Sequence, residues 1–107
     1  MNGVQLRLYT YENRRHRGVP VYEWLLERAR ELGVPGGSAF RAVAGFGRHG
    51  KLREQRFFEL AGEVPVLVEF IVDAEQAQRL LDLLAAEGLR LFYARAPVEY
   101  GVVGEPG

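Results

Sequence analysis

The sequence predicts an α+β sandwich, an antiparallel sheet with two helices on one face, in the order β-α-β-β-α-β. Three observations carry this. Val4–Tyr11 alternates apolar and polar residues with the period of a strand, and Val64–Val72 is a β-branched, almost wholly apolar run of strand length. Two others, after Pro20 and after Asp73, repeat apolar residues at helical spacing and end at glycine. A strand and an amphipathic helix recur in each half of the chain, which is the plan of a ferredoxin-like βαββαβ fold.

Taken in order, Val4, Leu6, Leu8 and Thr10 share one face of the first strand, and Gln5, Arg7, Tyr9 and Tyr11 share the other. Asn13 to Gly18 is polar and turn-like, and Pro20 opens the first helix. Tyr22, Leu25, Leu26, Ala29 and Leu32 form its buried stripe, and Gly33 with Pro35 stops it. Ser38 to Phe46 reads as a second strand, and Arg48 to Gly62 as a long connection. Val64 to Val72 is the strongest strand signal. Asp73 can cap the second helix with Gln76 as its capping-box partner, and Ala77, Leu80, Leu81 and Leu84 make that helix's stripe. Gly88 ends the helix, and Leu91 to Val98 is the last strand.

At 107 residues the chain is the size of one domain, 1–107. Fourteen Lys and Arg balance fourteen Asp and Glu, so no global charge favours a nucleic acid polymer, and none opposes association of copies. There is no cysteine, which excludes thiolate chemistry and disulfides. No apolar run is long enough to span a bilayer and no secretory signal is seen, so a cytoplasmic location is expected. His16 and His49 are the only histidines, Ser38 the only serine, and neither histidine has a carboxylate at ligand spacing. No metal, no cofactor and no catalytic residue is expected, and the chain is not read as an enzyme.

The third strand is apolar on both faces, because Leu67 and Ile71 oppose Val66, Val68 and Phe70. Tyr9 and Tyr11 also point away from the helices, and Tyr93 is grouped with them. Helices cover one face only. Another subunit is expected to cover the second.

Three clusters are candidates for binding. Gly45-Phe46-Gly47-Arg48-His49-Gly50-Lys51 combines a pliable backbone with two cations that suit an anion. It lacks the spacing of a P-loop. Arg14-Arg15-His16-Arg17 is a basic run before a helix, and such runs are more often solvated loops. Arg41 lies in a strand of small and apolar residues, where a charge needs a partner; Glu69 on the neighbouring strand is the expected one, with an anionic ligand as the alternative. The predicted ligand contacts are Gly45, Gly47, Arg48, Lys51 and Arg41.

The segments RRHRGVPVYEWLLERAR (14–30), GGSAFRAVAGFGRHG (36–50) and EVPVLVEFIVDAEQ (63–76) resemble the PII-like family catalogued as domain of unknown function 190. The most specific pieces are Arg41 followed by Gly45-Phe46-Gly47, the run with Gly18, Pro20, Tyr22 and Glu23, and the strand from Pro65 to Asp73. Ala42 stands where the family usually has glycine. The resemblance implies a PII-like homotrimer with a signalling or regulatory role. It implies a small effector, an adenine nucleotide among the candidates, bound at clefts between subunits. The loop around 45–62 would contact a partner protein, commonly a membrane transporter in the wider superfamily. The alternatives are a protein-binding adaptor without an effector, and a small enzyme acting on phosphate compounds.

Overall fold

A computed structural model describes residues 1–46, 53–54 and 64–106. Its element order is β1 (Asn2–Tyr11), β2 (Arg15–His16), β3 (Val19–Pro20), α1 (Val21–Glu31), β4 (Gly37–Arg41), β5 (Ala44–Gly45), β6 (Arg53–Glu54), β7 (Pro65–Val72), α2 (Ala74–Ala86) and β8 (Phe92–Glu99). The main sheet has four strands in the order β4-β7-β1-β8, and the pairs β1·β7, β1·β8 and β4·β7 are all antiparallel. This is the ferredoxin-like α+β arrangement expected from the sequence.

Strand alternation decides which residues enter the core. Along β7, Val66, Val68, Phe70 and Val72 are buried, and the residues between them are half-exposed. Leu6 and Leu8 of β1 lie opposite Phe70 and Val68 on the same face. The helices close over that face with Val21, Trp24, Leu25 and Ala29 from α1 and Ala77, Leu80 and Leu84 from α2. Tyr22, Leu26, Leu32 and Leu81 pack around the margin of this core. The helix layer covers the two central strands. The outer strand β4 is exposed along its whole length, and β8 at every residue but Val98.

The helix ends follow their local chemistry. Asp73 accepts the Gln76 N–H at 2.7 Å, and Gln76 Oε1 accepts the Asp73 N–H at 3.1 Å, a complete capping box. After α1 the chain turns at Gly33 with φ +83°, a conformation glycine adopts without cost. The first N–H of α1 is satisfied differently: Val21 donates to the Arg14 carbonyl at 2.9 Å.

The second strand is shorter than expected. It ends at Arg41, although Ala42 still donates to the Pro65 carbonyl at 2.9 Å. The chain bends at Val43, and Ala44–Gly45 pairs instead with Arg53–Glu54 as a separate ladder. Tyr93 is a second correction. It pairs with Leu8 and so lies on the helix side; Phe92, paired with Tyr9, is the aromatic on the open face.

Thr10 is 4% exposed on the core side of β1, and among the described residues its Oγ1 has no hydrogen-bond partner. A buried hydroxyl without a partner carries an uncompensated desolvation cost. Thr10→Val is therefore expected to raise stability by about 1 kcal/mol, read as a higher midpoint in urea with an unchanged slope.

Candidate functional site

One end of the sandwich gathers Arg14–Arg17, Arg41 and Gly45 from the groups that the sequence singled out. β1 and β4 run towards it, and β7 runs away from it. It therefore holds the segment after β1, the residues directly after β4 and the turn after α2.

The root of the 45–62 segment is tied on both sides of the β7 start. Glu12 donates its N–H to the Val64 carbonyl at 2.8 Å, and Ala42 donates to Pro65. Arg41 adds a side-chain tie, with Nε 2.6 Å from Glu12 Oε2. The expected Arg41–Glu69 pairing does not form, and alternation gives the reason. Arg41 pairs with Val66 and takes the helix side, whereas Glu69 faces the open side and pairs with Arg7 at 3.1 Å. About half of the Arg41 side chain is exposed, so it borders solvent at this root. Gly45 lies in the β5·β6 ladder opposite Arg53, with open space around the position a Cβ would take. Gly47, Arg48 and Lys51 lie outside the described residues.

The basic run Arg14–Arg17 is a hairpin with a structural role. β2 and β3 are joined by Arg17 and Gly18, both with positive φ (51° and 81°), as a type I′ turn requires. Its cations are spent on neighbours. Arg14 Nη1 donates to the Arg90 carbonyl at 2.8 Å, and Arg15 Nη2 to the Gly18 carbonyl at 2.7 Å. Arg17 forks onto Glu87 at 2.6 and 3.0 Å, and His16 Nε2 lies 3.0 Å from the same carboxylate. The His16 ring stands edge-on to Trp24 at 5.0 Å, and the Arg28 guanidinium lies 5.6 Å from that indole's centre. Glu87 thus clasps the hairpin to the C-terminal cap of α2. Nothing in the local sequence pairs residue 87 with residues 16 and 17. Only the β-α-β-β-α topology brings them together.

Hydrogen bonds from Arg17 first, and from His16 second, hold the Glu87 carboxyl down at about 2, against an ordinary value of 4.5. A carboxyl lowered on folding stabilises the fold fully above the unfolded value and loses that contribution as pH falls through the folded one. The clasp is therefore expected to be complete at neutral pH and to weaken between about pH 4.5 and 2. Thermal melts across that window should fall less steeply for Glu87→Gln than for the wild-type chain.

The open face of the sheet carries a second arrangement. Register places Phe92, Tyr9, Leu67 and Phe40 side by side across all four strands. The Tyr9 and Phe92 rings meet edge to face at 5.5 Å. Among the described residues no group of three or more His, Cys, Asp or Glu could hold a metal ion. Among the same residues, no helix is long and apolar enough to cross a membrane.

The profile of the DUF190 family, described as Uncharacterized ACR, matches residues 3–90. The chain belongs to the DUF190 family. A curated relative, a UPF0166 protein of Aquifex aeolicus (strain VF5), is 42% identical over 77 residues, covering 72% of this DUF190 chain and 73% of that protein. Among solved structures, a protein of Thermus thermophilus described as PII-like superposes with a TM-score of 0.65 at 21% identity, over 91% of this chain and 87% of that one. CPII of Thiomonas intermedia, a nitrogen regulatory PII-like protein bound to ADP, AMP and bicarbonate, superposes with a TM-score of 0.65 at 19% identity, over 95% and 91%. Its complex with ADP and bicarbonate gives 0.64 at 20% identity, over the same shares. At these identities the superpositions establish a shared PII-like fold.

Proposed function

We propose that this DUF190 chain is a PII-like regulatory protein, without catalytic activity of its own, that binds a small effector and passes the signal to another protein. The observation that carries the reading is the fold shared with CPII, whose structures hold adenine nucleotides, over nearly the whole of both chains. The candidate effector is accordingly an adenine nucleotide. Its site is placed at the end where β4 leaves the sheet, with Arg41 and Gly45 at the root and Gly47, Arg48 and Lys51 beyond it. Arginine there offers a charge-assisted donor to phosphate. The segment 45–62 is the proposed contact with a partner protein, a membrane transporter being one candidate. The protein is proposed to act in the cytoplasm as a homotrimer, with the open sheet faces covered by neighbouring copies.

Calorimetric titration with ADP, AMP and ATP, with and without magnesium, tests the effector. Saturable binding is expected, and Arg41→Ala should weaken it roughly tenfold, the scale of one charge-assisted hydrogen bond. No heat from any nucleotide would overturn the nucleotide reading. A second reading, an adaptor with no small effector, draws support from the hairpin arginines, which are already committed to Glu87 and to backbone carbonyls. It expects partner capture that is indifferent to added nucleotide.

A further inference from the structure

We propose that on the open sheet face the Arg7–Glu69 pair selects the partner, bonding across the interface to the same pair of a second copy of this chain. The inference rests on the reading that copies assemble through this face, and it names the residues that decide how they meet.

The face is built in rows. One row, Phe92–Tyr9–Leu67–Phe40, is apolar from edge to edge. The next is Ala94–Arg7–Glu69–Ser38, which sets an ion pair on the two central strands between two small residues. Burying the apolar row supplies non-directional affinity. Burying the neighbouring row supplies none unless its charges find partners.

Within one chain those charges are only partly spent. Arg7 gives Nε to Glu69 Oε1 at 3.1 Å, and Gln5 Nε2 gives its hydrogen to the same oxygen at 2.5 Å. Among the described residues nothing donates to the second carboxylate oxygen. Arg7 is held above its ordinary value by Glu69 first and by Tyr9 second, and 44% of its side chain remains exposed. Any cover must therefore bring both a donor for Glu69 and an acceptor for Arg7 to one place. An apolar ligand brings neither, and a polyanion meets Arg7 but is repelled by Glu69. A second copy carries both groups in this arrangement. Its zero net charge adds no long-range repulsion. Ala94 and Ser38 keep the flanks of the pair low, so a neighbouring side chain can reach it from either side. The pair then does at this interface what polar groups do in other apolar seams: it penalises wrong registers more than it strengthens the right one.

Native mass spectrometry and light scattering on the full chain test this with Arg7→Glu and Glu69→Arg. The first variant carries two acids at the site, the second two arginines. Each is expected to lose assembly at least tenfold relative to wild type, and the charge-swapped double variant Arg7→Glu/Glu69→Arg, which restores one acid and one cation per copy at every interface, is expected to recover it. Circular dichroism establishes that each variant is folded. Should either fail to fold, Arg7→Gln and Glu69→Gln probe the same contact, and the expected result is weaker association with less dependence on salt. Single variants that assemble like wild type, or a charge-swapped double variant that recovers nothing, would overturn the inference while leaving the assembly reading intact. A wild-type chain that is monomeric at tens of micromolar would instead overturn the assembly reading, and would leave the face to a partner of different chemistry.

Discussion

Replacing Phe70 by alanine is expected to destabilise the chain by about 3–5 kcal/mol, the range for removing a buried aromatic ring. Phe70 is 1% exposed on β7, between Leu6 on one neighbouring strand and Gly37 on the other. Its ring occupies the space above Gly37: a Cβ there would lie 2.5 Å from Phe70 Cδ1 and 3.2 Å from Leu26 Cδ2. Ring and glycine are therefore one packing unit that joins β4, β7 and α1. The alanine cavity cannot collapse, because β1 and β4 hold β7 in register on both sides. Against a total stability of about 5–15 kcal/mol for a domain, that loss leaves little reserve. A urea titration should show a much lower midpoint with an unchanged slope. A loss below about 1 kcal/mol would contradict the tight seat of ring on glycine.

Gly3→Ala is the second large effect, and it acts by crowding. A Cβ at residue 3 would stand 2.6 Å from the Val72 carbonyl oxygen and 2.7 Å from Tyr100 Cε1. The tyrosine ring can swing aside. The carbonyl cannot move alone, because Val72 ends β7 and is followed at once by Asp73, the cap of α2. Relief therefore requires β1 and β7 to separate or the first turn of α2 to shift. The expected cost is about 1–3 kcal/mol, the usual range for overpacking. Hydrogen exchange should locate it: Gln76, whose amide is held by Asp73, should lose more protection than Leu84 at the far end of the helix.

Much of this fold was legible because each signal was local. Alternation along β1 set its buried face, Leu6, Leu8 and Thr10, and Asp73 with Gln76 announced the start of α2. What the sequence missed is non-local or lacks a repeating pattern. In Phe92–Glu99 no apolar alternation fixes the phase, since alanines occupy 94 and 96 while arginine and proline occupy 95 and 97. The side taken by Tyr93 follows only from its pairing with Leu8. Arg41 and Glu69 are both central to the sequence reading, yet one lies on each face of the sheet. A pairing argument from strand adjacency fails unless the register is known. Glu12 and Glu87, the acids that engage Arg41 and Arg17, sit far from their partners in the chain and gave no signal. At the proposed effector site, the sequence reading put Arg41 and Gly45 at the root of the 45–62 segment, and the structure gives Arg41 its tie to Glu12.

The position of β1 has a consequence for synthesis. β1 lies inside the sheet, between β7 and β8, so both of its neighbours are translated long after it. During that interval its Leu6 and Leu8 have neither a hydrogen-bonded edge nor a core to join. Formation of the central pairs must wait for β7 and β8, and folding is governed by the closure of long loops rather than by pairing of strands adjacent in sequence.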